Sequence, residues 1–221
     1  IGEAKNNEES IYPVNDACPK GVGQKGTLKE WQENVVSLCS NNTRFIFSLG
    51  TAFAALCLNL INAEGGGFNL KGRSSKGKTK CLRVAVSVIG SREYERSWKT
   101  TGNGLEGICS LHNDSLLPLD EFGLVDAREV GELCYMIAGG IGKQRSGRDG
   151  SLREPKSWTV IVLSTGEVGL EDHMQTGKKK ARAGQLARVV DIPAEVENGF
   201  GVYDDIHNFK DEKEFADAID R

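Results

Sequence analysis

Gly72, Gly77, Lys78 and Thr79 stand in the spacing G-x-x-x-x-G-K-[ST], within KGRSSKGKTKC at residues 71–81 and directly after the apolar GGFNL. A strand, a glycine-bearing turn and a helix N-terminus in that order leave backbone N–H groups pointing into a concave loop that can cradle phosphate. Gly72 and Gly77 permit the tight turn and close backbone approach, Lys78 reaches the β and γ phosphates, and the Thr79 hydroxyl can ligate Mg²⁺. Ser74, Ser75, Lys76 and Lys80 complete the loop and its exit, so residues 72–80 are expected to hold ATP. A glycine-rich turn ahead of an ordinary helix is the competing reading. Placement between strand and helix favours the phosphate loop.

The rest of the chain is patterned around that loop. The polar residues 1–25 lack a helical or alternating period and read as a lead-in. Thr27 and Glu30 form a capping box, with Leu28, Trp31, Val35 and Leu38 at helical spacing behind it. A second helix is expected from about 43 to 62; Ser48, Gly50, Thr51 and Asn59 interrupt its apolar run and argue for burial rather than a membrane span. Residues 26–63 therefore read as an N-terminal helical segment packed on a core at 64–193. Strands are expected at GGFNLKG, RSWKTT, SLLPLDE, SWTVIVLST and LARVVDIPA. Helices are expected from Lys78 toward Gly90, from Asn103 with Glu106, and from Asp126 with Glu129 to Gly139 and Gly140. This alternation predicts an α/β P-loop NTPase: a mostly parallel five-stranded sheet flanked by helices. Residues 194–221 read as the acidic start of a C-terminal or lid region.

Composition adds limits. With 221 residues, 38% hydrophobic and 27% charged, the chain can bury a sizeable core. It begins at Ile1 without a secretory pattern, which suggests a piece of a longer cytoplasmic protein. Its six cysteines include no C-x-x-C pair, and most lie in apolar segments, so they read as reduced core residues. His112, His173 and His207 lack metal-ligand spacing. Net charge is −3, yet residues 71–193 carry +5 while 1–70 carry −2 and 194–221 carry −6. A narrow nucleic-acid footprint fits that middle region better than a broad one.

The apolar SLLPLDEFG ends in Asp120 and Glu121 about forty residues after the loop. A Walker B carboxylate at Asp120 would join Thr79 in holding Mg²⁺, and Glu121 could polarise the attacking water. Two acids at a strand end can also be a solvated turn, but together with the loop they point to hydrolysis and against a small-molecule kinase. Ser164 and Thr165 end the VIVLST strand where motor ATPases of the AAA+ and superfamily-3 type place a polar γ-phosphate sensor. Glu167 in the following turn reads equally as an exposed acid. Arg182, in KKKARAGQ, or Arg188 could serve as an arginine finger in a neighbour's site, against a surface salt bridge. Lys143, Arg145 and Arg148 in GKQRSGRDG precede the sensor strand, where ring helicases carry a nucleic-acid-gripping hairpin; a solvated loop is the alternative.

In order along the chain, GRSSKGKT, SWKTTGNGLE, LHND, LLPLDEFG, EVGELCYMIAGGIGKQR, LSTGE and KARAGQ with DIPA resemble domain-of-unknown-function family 927. The resemblance spans about residues 28–210. Members are similar to AAA+ and superfamily-3-like ring helicase ATPases of phages and mobile elements. The resemblance implies ATP and Mg²⁺ as cofactors, single-stranded or forked DNA as partner, and a homo-oligomeric ring in the full-length protein. It carries the phosphate loop to Gly72–Thr79, the metal and hydrolysis pair to Asp120 and Glu121, and the polar turn to Ser164 and Thr165. Trp98, Asn103 and Glu106 match its blocks without an implied role. A nucleotide-operated switch or assembly module without translocation is the rival class, separable by DNA-stimulated turnover.

Overall fold

The computed structural model describes residues 18–146, 151–197 and 200–220. The main sheet holds β1 (Gly66–Lys71), β2 (Arg96–Ser97), β3 (Ser115–Asp120), β6 (Val160–Gly166) and β7 (Val189–Pro193), in the order β2-β3-β6-β1-β7, and every pairing is parallel. A separate antiparallel hairpin joins β4 (Arg145–Ser146) to β5 (Leu152–Arg153). The five expected strands are the five of the sheet. RSWKTT contributes only two sheet residues, because Trp98 makes one further backbone bond to Asp120 O (3.1 Å) and the chain then turns into a helix.

Helices cover both faces, as an all-parallel sheet requires. On one side, α5 (Gly102–Leu111), α6 (Val130–Gly139) and α7 (Leu170–Thr176) bury Leu105, Cys109, Leu133, Cys134, Ile137, Leu170 and Met174 against Leu117, Leu119, Val160 and Val162. On the other, α3 (Thr43–Cys57), α4 (Lys78–Val86) and α9 (Glu212–Ile219) bury Phe45, Leu49, Leu82, Ala85 and Phe215 against Leu70, Leu116 and Leu163. A short α8 (Ala183–Leu186) leads into β7.

Several expected boundaries shift for local reasons. The first helix begins at the Thr27 capping box, where Glu30 N–H donates to Thr27 Oγ1 (3.2 Å) and Thr27 N–H to Glu30 Oε2 (2.8 Å). It is not uniform: α1 (Leu28–Trp31) widens into a π turn at Gln32–Val36 before α2 (Ser37–Cys39). Helix α3 stops at Cys57, and a 3₁₀ turn at Asn59–Ile61 ends on Asn62 in the left-handed region (φ 51°). Helix α5 is capped by Thr101, whose hydroxyl accepts from Gly104 N–H (3.2 Å), so Asn103 and Glu106 are left for another task. Residues 194–197 and 200–220 pack on the core. Asn42 Oδ1 accepts from Asp204 N–H (2.9 Å), and the Phe215 ring meets Phe45, Tyr203, His207 and Phe209.

Candidate active site

Strand register sets the site. Asn69 pairs with Ser164 and Leu70 with Thr165, while Leu119 also pairs with Ser164, so the carboxyl ends of β1, β6 and β3 reach one level. In doubly wound sheets ligands bind in the crevice beyond such strand ends. A cavity of about 900 Å³ opens there, lined by Ser74–Lys80, Asp120, Glu121, Thr165, Gly166, Glu167 and residues of the C-terminal segment.

The phosphate loop leaves β1 and enters α4 at Lys78, its positive φ of 89° supplied by Gly77. A side chain at Gly77 would strike Tyr203 Oη at 2.6 Å and Val202 Cγ2 at 2.7 Å, so the position demands glycine twice over. Ser75 also holds positive φ (57°). The loop is tied down at both flanks. Gly72 N–H donates to Gly166 O (3.1 Å), Val202 N–H donates to Lys76 O (2.9 Å), and Arg73 pairs with Glu195 (2.6 Å), whose carboxyl that arginine holds down at about 2. Lys78 is buried, and its ammonium donates to Gly72 O (2.8 Å) and Arg73 O (2.6 Å), spanning the loop it would open to a phosphate. Burial lowers its pKa from the ordinary lysine value, against the pull of Glu167, Asp120 and Glu195. Lys80 lines the cavity and its ammonium pairs with Asp220, which also receives Arg83 (2.8 Å) and Arg92 (3.0 Å) and anchors the end of α9.

Asp120 is the meeting point of three elements. Its Oδ2 accepts from Thr79 Oγ1 (3.4 Å), its Oδ1 accepts from the Thr165 hydroxyl, and Oδ1 also takes the Glu121 N–H (3.0 Å). Thr79 and Asp120 offer the hard oxygen donors that suit Mg²⁺, which keeps most of its shell as water and phosphate. Glu121 stands in the left-handed region (φ 64°) and lines the cavity.

Not every expected residue joins them. Ser164 is fully buried behind Thr165, where it accepts from Trp98 Nε1 (2.8 Å) and donates to Asn69 Oδ1 (3.1 Å). Asn69 in turn donates to Asp191 Oδ1 (2.8 Å), whose other oxygen caps Leu170 N–H (2.8 Å). Arg182 is exposed and does not line the cavity. Arg188 lies with its guanidinium 4.6 Å over the Tyr135 ring. Lys143 is exposed, Arg145 is taken up by Glu106 and Asn103, and Arg148 lies outside the described residues. Sequence reasoning missed the wall made by Phe200, Gly201, Tyr203, Glu212, Lys213 and Ala216. Two glycines bracketing an aromatic in GFGVYDD were the available signal, but nothing local says that this segment folds back over the loop.

Comparison with known proteins agrees with this architecture. The family described as "Domain of unknown function (DUF927)" matches residues 2–157. Among solved structures, "SCCmec type IV Cch - active helicase" superposes with a TM-score of 0.61 at 21% identity, over 96% of this chain and 38% of that one. Less similar are NtrX from Brucella abortus in complex with ADP, at TM-score 0.36 and 15% identity over 75% of this chain and 39% of that one, and JCV Helicase, at 0.35 and 13% over 71% and 44%. No curated protein sequence matches. The chain spans well under half the length of the SCCmec helicase, and the likeness shows a shared fold. No helix among the described residues is long and apolar enough to cross a membrane.

Proposed function

We propose that this chain, which belongs to the DUF927 family, is the ATP-hydrolysing part of a DNA helicase that serves replication of a phage or mobile element. The observation that carries the reading is the convergence of Lys78, Thr79, Asp120, Glu121 and Thr165 on one cavity at the carboxyl ends of three parallel strands.

The triphosphate lies along the loop, where the N–H groups opening α4 bind its oxygens. Lys78 exchanges the Gly72 and Arg73 carbonyls for the β and γ phosphates, recovering by charge pairing what it lost by burial. Thr79 and Asp120 are the residues that would hold Mg²⁺, and a bound Mg²⁺ neutralises phosphate charge. Glu121 orients and deprotonates a water for in-line attack on the γ phosphorus, giving ADP and inorganic phosphate, while Thr165 meets the γ-phosphate oxygens. An arginine of a neighbouring copy, Arg182 or Arg188, completes the charge stabilisation in a homo-oligomeric ring. Lys143, with the exposed Arg153 and Lys156 farther along the hairpin, tracks the phosphates of a single strand.

ATP turnover by this chain and by a C-terminally extended version, with and without single-stranded DNA and with Glu121→Gln as background control, tests the reading. Glutamate-dependent, DNA-stimulated hydrolysis is expected. Nucleotide binding with turnover at the Glu121→Gln background in both versions would replace it with an ATP-operated switch or assembly module.

A further inference from the structure

Glu106 is a carboxylate that the nucleotide chemistry does not use. Its side chain is only 2% exposed, yet it lies at the foot of the hairpin rather than in the cavity. Arg145 Nη1 reaches its Oε2 at 2.8 Å, the Lys143 N–H donates to its Oε1 at 3.3 Å, and Arg145 Nη2 donates to Asn103 Oδ1 at 2.7 Å. Burial works against ionisation of Glu106, but these partners outweigh it and hold the carboxyl below the ordinary glutamate range. Gly142 packs so near that a side chain there would meet Glu106 Oε2 at 3.1 Å. The outgoing strand of the hairpin therefore lies along α5, from Glu106 toward Asn103 and the N-terminal end of the helix.

Arg145 also stands directly opposite Arg153 across the hairpin. Like charges in that position repel, and the Glu106 carboxylate offsets the repulsion on one side only, leaving Arg153 outward. Breaking the contact would strand a buried carboxylate, so it holds whatever Arg153 or Lys143 binds.

The same helix starts just after β2, whose Ser97 pairs with Asp120 at the end of β3. Thr100 N–H donates to Trp98 O (2.7 Å), Thr101 caps α5, and Gly104 lies so close to Thr100 that a Cβ would meet its Oγ1 at 2.3 Å. Trp98 is fully buried and makes three contacts around the site. Its N–H donates to Asp120 O (3.1 Å), its indole donates to Ser164 beside Thr165, and its ring stands edge-on to Phe122 beside Glu121 at 5.1 Å.

We propose that Glu106 is a positioning residue: by holding Arg145 it locks the β4–β5 hairpin to α5, and Trp98 delivers the position of that unit to Asp120, Glu121 and Thr165. The nucleic-acid half of this inference rests on the reading of the hairpin given above. Arg145 is then the hairpin's anchor rather than a phosphate ligand. A contiguous route carries coupling only if each end biases the other, and such bias is reciprocal, so both directions are measurable.

In one direction, ATP turnover is measured against added single-stranded oligonucleotide, alongside fluorescence anisotropy of the labelled oligonucleotide. Glu106→Gln and Arg145→Gln should each abolish stimulation while leaving basal kcat, ATP KM and oligonucleotide affinity within about twofold of the parent chain. The double variant should be no worse than either single one. Retained stimulation in Glu106→Gln, or an equal loss of basal and stimulated turnover, would overturn the proposal.

In the other direction, no DNA is involved. Mg-ATP added to the Glu121→Gln chain should change amide hydrogen exchange in the hairpin strands, and Glu106→Gln should erase that change. A hairpin that never responds to nucleotide, or responds equally with Glu106→Gln, sinks the coupling. A Glu106-dependent response in a protein that binds no oligonucleotide keeps the coupling and removes the DNA reading instead.

Discussion

The Thr165 hydroxyl donates to Oδ1 of Asp120, whose Oδ2 accepts from Thr79, so one carboxylate joins the ends of β6 and β3 to the start of α4. Thr165→Val keeps the shape and removes the donor. Turnover is expected to fall by roughly 10²-fold, the usual cost of one lost transition-state donor, with little change in ATP KM. Steady-state kinetics decide it, and an unchanged kcat would take Thr165 out of the phosphate-sensing role.

Gly77→Ala should damage the loop beyond the backbone penalty of roughly 1 kcal/mol for a side chain at positive φ, because the new methyl meets Val202 and Tyr203 within 2.7 Å. At least a tenfold loss of ATP affinity is expected by calorimetry. Tyr203→Phe alone should leave affinity near normal, and pairing it with Gly77→Ala should restore little, since Tyr203 Cζ still lies 2.8 Å from the methyl.

Burial lowers the Lys78 pKa in the free protein, so its ammonium begins to lose its proton at a pH below that of an ordinary lysine. Phosphate favours the charged form, so above the depressed value binding takes up protons and affinity falls as pH rises through it. Titrations of a fluorescent ATP analogue from pH 7 to about 10 should show that decline, and Lys78→Ala should bind weakly with no such slope.

Phe215 is fully buried among four aromatic rings between α9 and α3. Phe215→Ala is expected to cost about 3–5 kcal/mol, or to free α9 from the cavity wall if the segment separates locally. Chemical denaturation distinguishes these outcomes: a full-size loss of midpoint marks residues 200–220 as part of the cooperative core.

Cys39, Cys81, Cys109 and Cys134 are buried, and burial pushes each thiol up to about 12, whereas Cys18 and Cys57 are exposed. A thiol reagent near pH 8 should label two cysteines quickly and the other four only on unfolding. Fast labelling of a third would show that one core layer opens in the native state.

Local chemistry was enough to read the glycine-bearing turn before α4, the acids at the end of β3, the five strands and the Thr27 cap. Each of these depends on residues within about ten positions of one another, through turn geometry, strand composition or a capping bond. The same reading placed Asn103 and Glu106 at a helix start. Their side chains bind Arg145, forty-two and thirty-nine positions away, a pairing that no local pattern announces. Ser164 and Thr165 look alike in the sequence but part company in the fold: alternation along β6 sends one into a buried relay with Trp98 and Asn69 and the other onto Asp120.

The aromatic wall at 200–216 likewise exists only because Asn42, Phe45 and Asp220's basic partners draw the acidic C-terminal segment back across the loop. Strand order decides which distant side chains become neighbours. It is set by how whole faces are buried rather than by any residue's own preference, so the glycine-bearing loop was legible along the chain and the segment that closes over it was not.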